Sequence, residues 1–526
     1  MIEGWLARPA VLRYLGLFGS MCCAVVGVLY GAPRQLRPGV SITSILAGPN
    51  GVLILLLWTV GLGALCTAWW YGRKLTGRGV LTGRWVLLTA ALWAVPMLVT
   101  LPLASRDMYA YACQGALYDW GGNPYVQSVS DQPCPWLESV SVVWRDTPTP
   151  YGPLFIMVAG AAAAPGSQTV ALVVARAFAV VSLVLLAAVL PVLARRRQVP
   201  VDRALWLVLC CPLVPVHLVG GGHNDAATVA FLVAGLAVLA APRRRTGALV
   251  AGGALLGLAV AVKTTVGVVL PFAAVLAAGP GVFPDPRRRA AGTGPIAGLL
   301  PRRDDLVRLA VRGGTVLAAS LGSLVALSFV SGLGLGWVNA LSGAGKSITW
   351  TSPPSAVGLA VDAVGRWFGA QLHAVPVTRG VALVLLPVVL VAIWWRSRRG
   401  DPLVGAGLAC LAVIFLAPIT QPWYLIWPAT LFAATAIRAR WLAGTIVVSM
   451  FLLLPTGDGA WRYLQVPLSF AMTGLVGWVA WRSVAWWRSA DPVPPAPDPP
   501  AADDPAARSD GLVDDVAPRR YPDRHA

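Results

Sequence analysis

Charged residues are scarce in this chain. Only 12% of its 526 residues are Asp, Glu, Lys or Arg, and there are four histidines. Soluble domains carry roughly a quarter of their residues as charges to cover the exterior, so this scarcity excludes a water-soluble globular protein. None of the eight cysteines falls in a metal-ligand spacing with histidine, which leaves no zinc-binding module. Cys22, Cys23, Cys66, Cys210, Cys211 and Cys410 lie in apolar stretches and read as small hydrophobes. No internal repeat stands out, and no inverted pair of broken helices of the transporter kind. The first apolar stretch follows Arg8 and Arg13. No small-residue cleavage site comes after it, so it reads as a membrane helix and not a removed signal.

What the sequence has in quantity is apolar length. Hydrophobic residues make up 57% of it, in repeated stretches of about 16 to 25, and roughly 20 cross a bilayer core. The pattern predicts an all-α polytopic membrane protein of about 14 transmembrane helices. The spans are approximately 14–31, 51–71, 84–103, 168–194, 203–219, 226–241, 247–262, 264–279, 306–330, 377–395, 403–419, 423–437, 441–455 and 463–481. Lys263 interrupts the stretch 247–279.

The net charge is +19, from 41 basic against 22 acidic residues. The basic residues form short clusters between apolar spans: Arg73/Lys74/Arg78/Arg84, Arg195–Arg197, Arg243–Arg245, Arg287–Arg289 and Arg396/Arg398/Arg399. That is the positive-inside pattern, and it argues against a nucleic-acid partner. With the N-terminus inside, every one of these clusters is cytoplasmic; Arg34 and Arg37 are the exceptions outside. Two large extracytoplasmic loops follow, 104–152 and 331–376, with shorter outer turns at 220–225, 420–422 and 456–462. The apolar piece 153–165 is too short to span and reads as re-entrant or interfacial. Residues 1–487 are then one transmembrane domain. Residues 488–526, rich in Pro, Ala and Asp, are expected to be a disordered cytoplasmic tail, and 280–305 a flexible internal loop.

The polar motifs gather on the outer side. The first loop opens with LASRDMYAYACQGALYDWGGNPY, where Asp107 follows Arg106 at the outer rim of the third span. A carboxylate there can accept a proton from a hydroxyl while within reach of a lipid phosphate. Tyr109, Tyr111, Tyr118, Trp120 and Tyr125 offer flat surfaces on which sugars stack. The competing interpretation is an interfacial Arg–Asp pair with a snorkelling cation. Cys113 and Cys134 share this loop, and a disulfide can persist on the outside. Further on come Trp144, Arg145, Asp146 and Tyr151, then HLVGGGHNDA with His217, His223, Asn224 and Asp225. His223 alone is better explained by a structural hydrogen bond, and a divalent metal held by His223 and Asp225 stays the less favoured alternative, its ligand set being thin. Nothing therefore requires a cofactor. Lys263 within an apolar region suits a lipid-phosphate counter-ion, or it snorkels. Trp423 and Tyr424 in QPWY are sugar contacts or belt aromatics, and Arg462 can hold phosphate through its planar fork.

Taken together, SRDMYAYACQGALYDWGGNPY, WRDTPTPYGPLF, GGHNDA, AVKTTVG, GLGWVNAL, SPPS and QPWY resemble the actinobacterial polyprenol-phosphate-mannose-dependent α-1,6-mannosyltransferases of lipomannan and lipoarabinomannan synthesis. The strings occur in the expected order from about residue 100 to 470. The resemblance implies a GT-C fold in the plasma membrane, with Asp107 as catalytic carboxylate in the first outer loop. It further implies a polyprenyl-phosphate-mannose donor, a mannosylated glycolipid acceptor and inversion at the anomeric carbon. The acid after His223–Asn224 is Asp225 here, where the family more often carries Glu. A transferase for another polyprenyl-phosphate sugar, such as arabinofuranose, fits the same residues. A lipid or sugar flippase is the alternative of a different class, and it predicts polar residues lining a route to both faces.

Overall fold

The computed structural model describes residues 6, 8–32, 42–242, 245–279, 282, 303–343, 348–457 and 464–488. The expected tail 488–526, most of the loop 280–305, and Arg462 lie outside the described residues. One compact unit ends at Trp478, and the last helix, Gln465–Arg488, continues beyond it. No β-strand occurs among the described residues, and a helical segment coincides with each apolar stretch read from the sequence. Among the described residues, five helices are long and apolar enough to cross a bilayer: Pro9–Tyr30, Gly51–Gly72, Gln168–Arg196, Arg303–Val330 and Ala374–Ser397. The pair Val201–Leu209 and Val214–Gly220 makes a sixth if its 59° bend lies within one span. The remaining apolar helices are shorter and begin or end at identifiable breakers.

Those starts and stops are local chemistry. Thr82 caps Gly83–Ala94 by accepting from Trp85 N at 3.2 Å, and Asp401 caps Pro402–Leu416 through Leu403 N at 3.0 Å. Both satisfy amides that the first turn leaves unpaired. Pro9, Pro153, Pro353 and Pro402 sit in first turns, where a missing N–H costs nothing. Pro212 and Pro215 interrupt the α ladder after Leu209, and the chain continues as a π-helical turn, Val214–Gly220. Such turns are rare and concentrate at functional sites.

Packing follows membrane rules. Helices Asp225–Leu239 and Thr246–Val262 approach so closely that a Cβ on Gly235 would lie 2.8 Å from the Gly252 carbonyl oxygen; small residues let backbones meet where no water drives association. Outward faces remain apolar, with Val384, Val388 and Val391 on Ala374–Ser397 exposed. Several tryptophans are internal bolts and neither anchors nor sugar platforms. Trp69 and Trp206 each donate to the other's main-chain carbonyl, at 3.2 and 3.0 Å, and Trp93 donates to Arg13 O at 2.8 Å. An arginine within the long helix Gln168–Arg196, which attracted no notice in the sequence, is a clamp. Arg176 donates to the carbonyls of Leu98, Thr100, Val219 and Gly220 at 2.7–3.1 Å. A guanidinium in that position is tolerable because four carbonyls replace water. The clamp ties the end of the Val95–Val99 turn to the glycines that precede His223.

The region 104–152 is more helical than a loop. It contains Asp107–Asp119, Val142–Arg145 and a disulfide between Cys113 and Cys134. The next element, Pro153–Ala163, has 11 residues, about 16 Å of helix, and packs on Asp107–Asp119 at Gly115, where a Cβ would meet Ala159 O at 2.1 Å. The region 331–376 likewise holds Trp337–Gly343 and Pro353–Trp367.

Candidate active site

Asp107 begins its helix directly after a constrained approach. Leu103 N donates to Gly220 O at 3.1 Å and Ala104 N to Pro455 O at 2.8 Å. Ala104 itself takes φ +54°, a left-handed conformation costly for a residue with a Cβ. Such local strain clusters where geometry must be held. The result is a buried carboxylate with 9% of the residue exposed. Its Oδ1 accepts from Trp144 Nε1 at 3.0 Å, and its amide donates to Ser105 Oγ at 3.1 Å. Burial raises its pKa from 3.8 to about 6. The Trp144 hydrogen bond and the Lys263 charge act in the opposite direction, and Asp225 adds to the rise. At neutral pH the group is an ionised base whose proton affinity is well above that of a solvated aspartate.

His223 stands beside it. Its Nδ1 lies 3.6 Å from Asp107 Oδ2, too long for a hydrogen bond, and 3.4 Å from Tyr111 Oη. Burial, then His217 and Lys263, holds the imidazole well below its usual range, so the ring is neutral. Its face stacks on Trp423 with centroids 3.7 Å apart at 20°. The three glycines before it allow this fit. Gly222 takes φ +59°, and a Cβ there would come within 2.5 Å of Met108 Sδ. Tyr111 meets Tyr151 and Phe155 edge to face at 5.1 and 4.7 Å. Burial and the Asp107 charge raise the Tyr111 and Tyr151 phenols well above the ordinary range, so both remain donors.

A buried ion pair joins Lys263 and Asp225. Lys263 Nζ donates to both oxygens of Asp225, at 3.0 and 2.8 Å, and Trp427 Nε1 donates to Asp225 Oδ1 at 2.7 Å. The ammonium also sits over the Tyr424 ring, 4.3 Å from its centroid. Lys263 occupies the break between Thr246–Val262 and the 3₁₀ turn Thr264–Val269. The carbonyl of Val262 accepts from Gly152 N at 3.1 Å. Only glycine fits at 152, because a Cβ would lie 2.2 Å from Ala261 O. The apolar break and the PYGP turn are therefore one structural unit.

The structure thus brings Asp107, Tyr111, Tyr151, His223, Asp225, Lys263, Trp423 and Tyr424 into one contiguous region. It uses other predicted residues differently. Tyr109 donates to Ala32 O at 2.8 Å and anchors the first helix's end. Arg106 is buried and donates to Ser139 O at 3.2 Å. Arg145 donates to the carbonyls of Val140 and Glu138 and fastens the loop, while Asp146 is exposed. Lys263 carries a partner of its own in Asp225. Asn224 has both ends of its amide buried with no partner among the described residues, as do His223 Nε2 and the hydroxyls of Thr264 and Thr265. Among the described residues no group of three His, Cys, Asp or Glu could hold a metal. Trp144, donor to Asp107, lies within a motif string, and Trp427, donor to Asp225, three residues past QPWY, but an indole in an apolar or interfacial run carries no mark that separates a donor from a belt aromatic.

Two family models match the chain: the N-terminal domain of Alpha-(1->6)-mannopyranosyltransferase over residues 13–279, and the MptB C-terminal domain over residues 354–482. Alpha-(1->6)-mannopyranosyltransferase A of Mycobacterium tuberculosis is 32% identical over 89% of this chain and 89% of its own length. A probable alpha-(1->6)-mannopyranosyltransferase of Mycolicibacterium smegmatis is 29% identical over 92% and 90%. Alpha-(1->6)-mannopyranosyltransferase B of Corynebacterium glutamicum is 26% identical over 90% and 82%. No solved structure matches. With half the sequence under one family model and nearly all of it aligned to a relative of this identity, the chain belongs to the alpha-(1→6)-mannopyranosyltransferase family and is a mannosyltransferase.

Proposed function

We propose that the protein transfers mannose from a polyprenyl-phosphate-mannose to the 6-hydroxyl of an α-mannoside glycolipid on the outer face of the plasma membrane, with inversion. The observation that carries this reading is the buried carboxylate of Asp107, held by Trp144 and tuned to about 6. A general base works best with a proton affinity near the working pH. Asp107 takes the proton of the acceptor hydroxyl while that oxygen bonds to the anomeric carbon. The bond from that carbon to the phosphate oxygen breaks, and the electron pair leaves with the polyprenyl phosphate. Trp423 and the Tyr111–Tyr151 pair provide aromatic faces for the sugar rings. The unpartnered polar atoms of Asn224, His223, Thr264 and Thr265 suit hydroxyls, since buried donors and acceptors are rarely left unpaired. The Lys263 charge faces the leaving phosphate together with Asp225, and Arg462 is the further phosphate ligand of this reading.

Two features support an outward-facing site. The loop with Asp107 carries the Cys113–Cys134 disulfide, which fits an oxidising compartment. Three chain segments lead from basic clusters at one end to site residues at the other. They are Gly83–Val99 toward Asp107, Val201–Gly220 toward His223, and Pro422–Ala433, whose start holds Trp423 and whose end precedes Arg438 and Arg440. The arrangement follows the positive-inside bias, with a multi-pass domain of about 14 crossings and both termini inside. The test uses membranes bearing the protein, an α-mannoside acceptor and radiolabelled donors. Label should enter an alkali-stable α-1,6 product from polyprenyl-phosphate-mannose only. Transfer from GDP-mannose or from a polyprenyl-phosphate arabinofuranose at a comparable rate would overturn the donor assignment, and lipid movement without product would favour a flippase.

A further inference from the structure

A cavity of ≈ 600 Å³ lies at the helix ends opposite to Asp107, between the end of Gly51–Gly72, the junction of Gln168–Arg196 with Val201–Leu209, and the turn before Arg440–Met450. Its polar wall carries Arg73, Lys74, Arg78, Arg197, Arg203, Arg438 and Arg440, and among the described residues no carboxylate lines it. Arg197 and Arg203 hold protein oxygens. Arg197 pairs with Asp401 at 2.7 Å, and Arg203 donates to the carbonyls of Thr435 and Ile437. The nearby Asp202 carboxylate is held by Gly77 N at 2.7 Å. Lys74 sits over the Tyr71 ring, 4.7 Å from its centroid, and Arg73, Arg78, Arg438 and Arg440 converge with no matching acid among the described residues. Arg73 stacks on Trp70 at 3.8 Å, and its Nε is buried with no partner among the described residues. Burial, then the charge of Arg440, holds the Arg73 guanidinium below its usual range. The other wall is apolar, with Leu207, Phe432, Leu442 and Ile446.

Like charges brought together at a partly dry surface repel, and that arrangement persists most easily where an anion sits among them. A positive-inside cluster needs no concavity and no apolar wall; this one has both. Basic pockets between membrane helices take phosphate headgroups, and a volume of this order holds a small amphiphile. We propose that this pocket binds the phosphate headgroup of an anionic lipid, with the start of its chains against the apolar wall, at a site separate from the transfer site. The requirement is a net negative phosphate headgroup with hydrocarbon attached, so a zwitterionic lipid lacks the charge and a free anion lacks the chain.

Native mass spectrometry of the full-length protein, delipidated and then given defined lipids, tests this directly. Phosphatidylglycerol should be retained at least tenfold more than phosphatidylcholine, and millimolar inorganic phosphate should not displace it. Arg73→Gln with Arg440→Gln should cut that retention about tenfold, leaving the labelled-mannose transfer rate in phosphatidylcholine detergent micelles unchanged. The wild-type lipid preference requires no variant, so a double variant that fails to fold leaves the test intact. Equal retention of the two lipids, displacement by inorganic phosphate, or undiminished retention in a folded double variant would overturn the proposal.

Discussion

The two ends of this helical unit use charge in opposite ways. Around Asp107 each carboxylate is met by specific donors: Trp144 for Asp107, and Lys263 with Trp427 for Asp225. At the other end, among the described residues, seven cations share a cavity that no carboxylate lines. The first arrangement fixes direction, because neutral donors and one ion pair hold each oxygen in place. The second fixes only sign, as anchoring to a charged lipid surface requires. A catalytic constellation needs preorganised hydrogen bonds, whereas a headgroup site works by accumulated positive potential.

The contrast predicts unequal sensitivity to substitution. The largest effect belongs to Asp107→Asn, which keeps the shape and removes the base; mannosyl transfer should fall by about 10² to 10⁴, with the protein still present at normal levels in the membrane. Second comes the buried pair. Asp225→Asn or Lys263→Met alone leaves an uncompensated charge and should destabilise by roughly 3–5 kcal/mol. The double variant should regain most of that, and thermal unfolding in detergent with an added-up comparison of the three variants measures it. If the double loses as much as the sum of the singles, the pair does not act as a unit. Third, Gly152→Ala pushes a methyl into the Ala261 carbonyl and should cost about 1–3 kcal/mol, read by the same unfolding experiment; an unchanged midpoint would show that the PYGP turn is not wedged against the helix break. The smallest effect is expected of Trp144→Phe. Losing a hydrogen bond that favours the ionised carboxylate should move the acid limb of the transfer rate toward higher pH, and an unmoved limb would remove Trp144 from the tuning of Asp107.

Much of this was legible in the sequence, for reasons that differ by residue. Apolar runs marked where helices form, because burying a backbone in lipid leaves helix as the accessible solution, and the Lys263 interruption marked a real break. Lengths were less legible: among the described residues five helices are individually long enough to cross, and prolines such as Pro212 and Pro215 shorten others. The region 104–152 looked like a loop because its helix Asp107–Asp119 is packed from several sides and shows no one-sided periodicity. Asp107, His223 and Tyr424 were singled out and lie together. The Lys263–Asp225 pair was not anticipated, since no sequence spacing reports that residues 38 positions apart meet across two helices. Arg176 escaped for the same reason. Its four carbonyl partners come from two separate turns, and a lone arginine in a hydrophobic run is silent about them. Tyr109, grouped with the sugar-facing aromatics by proximity, anchors Ala32, because its position in the helix points it away from its neighbours' side of the chain.

The central claim is that Asp107 accepts the proton. Burial raises its pKa to about 6, so the base form is lost as pH falls through that value. The pH dependence of the initial transfer rate, measured on wild type and Asp107→Asn with saturating donor and acceptor, tests this most directly. Wild type should fall about tenfold per unit below pH 6 and level off above it, with the variant low and flat across the range. A variant that keeps the wild-type rate, or the wild-type acid limb, would contradict the assignment.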